Sequence, residues 1–351
     1  MFLRMKLRGR LGLPHSLVNS LLLSLCLALC ALSVLAETQD FEGLSIRIRE
    51  QSTAVDELEL ELGRYHVSLV EPLQTLARIQ VQANRFQDAR DNADRALQIV
   101  RWSDGLESPL QFDYLQLLIE IEMARDNWDD IEEKIEHYSW LLGNKYQGDS
   151  ETRLRRILWL VDVHTQGAAR DKKERRAYHL MQATGINEIA VQFAQTQGLT
   201  NEPLYVETLF SLSRAYLRES EAIRRRGSVS YRLRELFPGT HILDEREVAI
   251  AKRYQIGLEK LEMLRDTVEA SPAFDVEAVL LSEFYIAAWN ELYDAEDELS
   301  ASLQRIEQFN QHAEIGAARY SSLFQLRVAL PQDRLVLNAS YFGDALVAVG
   351  D

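Results

Sequence analysis

Glu133 and His137 stand four residues apart, a spacing that puts an acid and an imidazole on one helical face. Such a pair can supply part of a metal site, but zinc needs three or four ligands. No HExxH motif is present to supply them. His164 and His179 lie further on, each without a neighbouring thiol or a GxSxG elbow to serve. Gly227-Ser228-Val229-Ser230 lacks the following Lys of a phosphate loop. Carboxylates are abundant, as in Asp129-Asp130-Glu132-Glu133 and Asp294-Glu296-Asp297-Glu298. Acids grouped like this most often start helices, where they complement the helix dipole. No glycosidase pair stands out among so many. The sequence therefore assigns no catalytic, cofactor-binding or metal residue, and no cofactor is expected.

Two basic patches interrupt an acidic background. Arg153, Arg155, Arg156, Arg170, Lys172, Lys173, Arg175 and Arg176 form one, and Arg224-Arg225-Arg226 the other. Each reads either as a solvated face offset by nearby acids or as a site for an anionic partner. The formal charge of the whole chain is −15. An acidic chain of this kind does not bind nucleic acid by bulk electrostatics.

The N-terminal segment reads as a secretory signal over residues 1–36. Arg4, Lys6, Arg8 and Arg10 precede an apolar run from Leu21 to Leu35, and Val34-Leu35-Ala36 supplies a cleavage pattern. The alternative is an uncleaved membrane anchor, for which Asn19, Ser20, Ser24 and Ser33 make a poor span. Cleavage after Ala36 removes those four basic residues and no acid, so the charge becomes −19. It also removes both cysteines, Cys26 and Cys30, which excludes a disulfide framework. The expected location is outside the cytoplasm, the periplasm in a bacterium, with no stable membrane span after cleavage.

Beyond residue 64, apolar residues recur at three and four, the helical period. Leu73, Leu76 and Ala77 predict one amphipathic helix over about 69–82. Phe86, Ala89, Ala93, Ala96 and Leu97 predict a second over about 87–100, and Ala83-Asn84-Arg85 is a turn short enough to make them antiparallel. The pattern returns after about 42 residues: Leu73 maps to Leu115 and Ile157, Leu76 to Leu118 and Leu160, and Phe86 to Trp128. A fixed period of this size marks a helical repeat array. Residues 69–101 resemble a tetratricopeptide repeat, with Leu76 and Ala77 in helix A, Phe86 at the turn, and small residues along helix B. The period resembles that of the kinesin light-chain variety, and the signal suggests an exported bacterial form. A fourth helix A is expected at Leu209, Leu212, Ser213 and Tyr216, its partner displaced to about 254–270, and a fifth pair over about 276–311.

The expected fold is all-α: antiparallel helix-pair repeats stacked as a right-handed TPR-like solenoid, with a short irregular or β-like C-terminal tail. Its organisation is a signal over 1–36, a lead-in helix over 37–64, repeats over 65–311 with an irregular insertion near 221–250, and a tail over 312–351. Stacked helices A line a groove suited to peptides. Repeat spacing places Glu71, Gln74 and Arg78 there from the first copy. The second adds Asp113, Gln116, Glu120 and Met123, and the third Arg155, Leu158 and Asp162. The expected function is an exported scaffold that binds a protein or peptide partner through this groove. An envelope enzyme on the same fold, for example a glycan-cleaving one, and a self-assembling structural subunit are the alternatives.

Overall fold

The computed structural model describes residues 42–226, 242–270 and 276–313. The expectations for the signal, for residues 227–241 of the insertion, and for 314–351 of the tail lie outside the described residues. Two compact units divide the chain, one ending at Asn127 and the other beginning at Trp128. Among the described residues no helix is long and apolar enough to cross a membrane.

The first unit contains α1 (42–62), α2 (Val70–Gln82), α3 (Phe86–Asp104) and α4 (Phe112–Ala124). Leu73, Leu76 and Ile79 of α2 meet Ala96, Ile99 and Val100 of α3 and Ile48 and Val55 of α1. Ala89, Ala93 and Ala96 are wholly buried. Their small side chains let α2 and α3 approach closely, which is why helix B carries them. Ser108 accepts a hydrogen bond from the Leu110 amide at 3.2 Å and turns the chain toward α4.

The second unit contains α5 (Ile131–Asn144), α6 (Ser150–Arg170), α7 (Arg176–Thr196), α8 (Pro203–Arg226), α9 (Ile242–Ala270), α10 (Val276–Leu292) and α11 (Glu296–Ala313). Successive helices pack as α6 on α7, α7 on α8, α8 on α9, α9 on α10, and α10 on α11. The displaced partner of the fourth helix A is thus α9. Asp149 caps α6 by accepting from the Thr152 amide at 2.7 Å, and this bond lowers its pKa. Two close approaches mark where helices touch backbone to side chain. A Cβ on Gly167 would come within 2.6 Å of the His179 ring, and one on Gly257 within 2.0 Å of Trp289.

The turns share one device. Asn84, Asp126, Gly198 and Asp294 all have positive φ, between 56° and 72°. Each is followed by an amide that reaches the carbonyl five residues back: Arg85 to Gln80, Asn127 to Glu122, Leu199 to Ala194, and Ala295 to Asn290, at 2.8–2.9 Å. This is a left-handed helix stop, tolerated by Gly, Asn and Asp because their side chains are absent or bond locally. The 42-residue period places Ala168 at the next such position, and alanine resists that conformation. The helix does not stop there: α6 runs on to Arg170, and a short 3-10 turn at Lys173–Arg175 leads into α7. Residues 171–176 thus form the link, with the 3-10 turn inside it and Arg176 opening α7.

Candidate functional site

In every helix A the same position is buried and polar. Gln80, Glu122 and His164 are spaced by the repeat period; Tyr216 holds the equivalent place in α8, and Asn290 precedes its turn as Gln80 does. Gln80 accepts from Asn92 at 2.9 Å. Glu122 accepts from Asn127 at 2.7 Å and pairs with Arg90 at 3.1 Å. Tyr216 donates to Glu188. Asn290 donates to Ser302 at 3.3 Å and accepts from Tyr254 at 3.0 Å. These bonds satisfy groups that burial would otherwise leave unpaired. Helical periodicity alone places Gln80 on the buried face of α2 and gives no sign of the rung it forms with Asn92.

The third rung carries the titratable chemistry. His179 Nε2 lies 2.9 Å from Asp171 Oδ2, and the two Nδ1 atoms of His164 and His179 lie 3.1 Å apart. With His179 donating to the carboxylate, its Nδ1 accepts, and His164 Nδ1 donates to it. Burial, then His179 and Arg175, draw the His164 imidazole down to about 3. Burial also lowers His179, opposed by its bond to Asp171. The unfolded chain binds these protons near pH 6.5 and the folded chain does not, so stability falls as pH drops from 6.5 toward 3. From His164 alone the expected loss at pH 5 is about 2 kcal/mol. Urea melts from pH 7 to pH 4.5 check this: the His164→Asn variant should show a shallower pH slope than the parent, and equal slopes would refute the assignment. The pair was not legible as a unit, because the turn shift at Ala168 hides that residues 164 and 179 face each other. Among the described residues no group of three or more His, Cys, Asp or Glu could hold a metal.

The first basic patch is tied into its own unit. Lys172 pairs with Asp129 at 2.7 Å, and Arg175 reaches Asp129, Glu132 and Asp171. Arg155 pairs with Glu151 at 2.7 Å, Arg153 lies over the Phe193 ring, and Arg156 donates to Tyr138. Arg224 pairs with Asp294 and covers Tyr293. These cations offset nearby acids.

The groove residues of the first unit assemble in part. Tyr114 of α4 packs on the core, and its hydroxyl is held above its ordinary pKa by burial, then by Asp113 and Glu71, with Arg78 opposing. Glu71 and Arg78 of α2 thus stand beside Asp113 and Tyr114 of α4, all but Tyr114 exposed. Gln74 is half-buried, Gln116 donates to Glu120 at 2.9 Å, and Met123 is buried. In the second unit Arg155 and Asp162 are exposed and Leu158 half-buried. Asp162 has Arg214, Arg218 and Glu207 of α8 for neighbours, three residues that the irregular spacing of the fourth repeat concealed.

No family model and no curated protein matches the sequence. Solved structures do. A kinesin light chain from Podosopora anserina with nearly identical TPR-like repeats is similar over 72% of this chain and 99% of that one, at 15% identity and a TM-score of 0.47. BtubC from P. vanneervenii is similar over 78% of this chain and 93% of its own, at 14% identity and a TM-score of 0.38. The all-α, helix-pair fold itself rests on the packing described above.

Proposed function

We propose that this chain is a scaffold that binds a protein or peptide partner across the exposed flank of its A helices. The supporting observation is the cluster around Tyr114. Two successive A helices set Glu71, Arg78 and Asp113 side by side, outside the core and at repeated register. Side chains so placed contribute little to folding and are available to a bound segment. We extend the proposal to export, with residues 1–36 removed, supported by the basic start, the apolar run and the Val34-Leu35-Ala36 pattern. N-terminal sequencing of secreted material that still carried Leu21–Leu35 would remove that extension.

Site-specific photocrosslinking tests the binding face. Photoreactive residues replace Gln74, Glu120 and Asp162 on A helices, and Asp91 and Gln192 on the exposed flanks of α3 and α7 as controls. The expected result is a discrete crosslinked partner from the first three positions and none from the controls. Crosslinks confined to Asp91 and Gln192 would move the interface to the helix B side.

A further inference from the structure

The first unit exposes its large apolar side chains at one end. Among its described residues, every exposed one except Ile46 lies in the last turn of α1 or α3, or in the links that follow those helices. Leu60 is 88% exposed, Trp102 71% and Leu106 68%, and Tyr65, Val67 and Leu110 are exposed as well. The turns at the other end, Ala83-Asn84-Arg85 and Arg125-Asp126-Asn127, expose none. Single exposed apolar residues are ordinary, but a cluster of them with a polar margin marks a contact surface.

Polar bonds hold both links in place. Arg95 of α3 pairs with Glu59 of α1 at 2.6 Å and donates to the Arg64 carbonyl at 2.7 Å. These bonds lash the first link to α3, where the Tyr65 and Trp102 rings meet with centroids 4.7 Å apart. Gln111, wholly buried, accepts from Arg101 at 2.9 Å and donates to the Leu106 carbonyl at 2.8 Å. The second link is thereby tied to the same end of α3. Neither link is fixed by burying its own apolar side chains, so these stay outside on a set frame. Tyr and Trp offer large contact area with few rotatable bonds, as the centres of interfaces do.

The margin selects the partner. Over residues 57–67 and 102–110 the exposed charges are Glu57, Glu61, Asp104 and Glu107 against Arg64. Leu60 shares one face of α1 with Glu57 and Glu61, at steps of three and four residues from Glu57. An acidic margin opposes an anionic bilayer. It also opposes a second copy docked by the same surface, which would bring like charges together. We propose that this end of the first unit docks an apolar segment of a partner protein that carries lysine or arginine at both of its ends. The apolar stretch covers Tyr65, Trp102 and Leu106, and the cations meet the acids contributed by α1 and by the second link. This surface is a second one, beyond the A-helix flank and independent of it.

The probes are three dye-labelled peptides. One has an apolar Leu-Ala core with Lys at both ends, one has the same core with Glu at both ends, and one has Lys ends around a Ser-Gly core. In fluorescence anisotropy the first should bind the purified protein about tenfold or more tightly than either of the others. Trp102→Ser should weaken that binding by a similar factor at an unchanged melting temperature. Glu61→Lys combined with Asp104→Lys should turn the preference toward the Glu-ended peptide, and this variant decides alone if Trp102→Ser does not fold. Equal binding of the Lys-ended and Glu-ended apolar peptides, a preference that survives the charge reversal, or no binding at all would overturn the proposal. Co-sedimentation with phosphatidylcholine vesicles that Trp102→Ser abolishes would give the surface to a lipid bilayer. A dimer that the same change dissolves would give it to a second copy, and either result overturns the proposal. None of these outcomes bears on the crosslinks expected from Gln74, Glu120 and Asp162, which decide the scaffold reading separately.

Discussion

Leu76→Asp should unfold the first unit or lower its stability by about 4–6 kcal/mol, while Gln74→Asp should change it by no more than about 0.5 kcal/mol. The two positions are separated by half a turn of α2. Leu76 is 4% exposed and packs among Leu73, Ile79 and Ile99, so the substitution both deletes apolar contacts and strands a carboxylate without a partner. Gln74 is half-buried and lies outside the apolar cluster that holds Leu76. Chemical melts followed by circular dichroism distinguish them, and equal midpoints would show that the helix A register is wrong.

The second large effect is expected at Trp289. It is fully buried, donates from its indole N–H to the Tyr254 carbonyl at 3.1 Å, and touches the rings of Tyr216 and Tyr293. Trp289→Ala should cost about 3–5 kcal/mol in the second unit. Gly257→Ala should cost about 1–3 kcal/mol, because its methyl would enter the space of the indole. In a Trp289→Leu background that same substitution should cost less, since the indole edge it strikes is gone. Additive costs in the double-mutant cycle would show that the two residues are not in contact.

The helix pairs were legible because their cause is local. The Leu73, Leu76 and Ala77 stripe and the Ala89, Ala93, Ala96 row read directly as two faces that must meet, and they do. The left-handed stops were legible in part, since Asn84 and Asp126 repeat in a position that favours them. What broke the period was equally local: Ala168 where the stop should fall. Alanine resists positive φ, so that residue type at 168 marks the shift. The contacts between nonadjacent A helices were not legible. Arg214 and Arg218 come within electrostatic reach of Asp162 only through packing that the uneven interval between the third and fourth repeats leaves undefined. The basic patch near Lys172 was ambiguous for the opposite reason, since Asp129 and Glu132, which neutralise it, come from an earlier helix.

The buried rungs bear on how the chain avoids misfolding. Copies of one repeat can in principle exchange helices, because each helix B offers an apolar face to any helix A. Here the rung joins helix A to its own helix B with a different chemistry in three copies: an amide with an amide at Gln80 and Asn92, an imidazole with an imidazole at His164 and His179, an amide with a hydroxyl at Asn290 and Ser302. A helix B docked on the wrong helix A would bury one of these groups without its match, at a cost of about 1–3 kcal/mol each. Divergence at this position thus labels those three helix pairs by partner, discriminating among pairings that the shared apolar pattern alone would treat as equivalent.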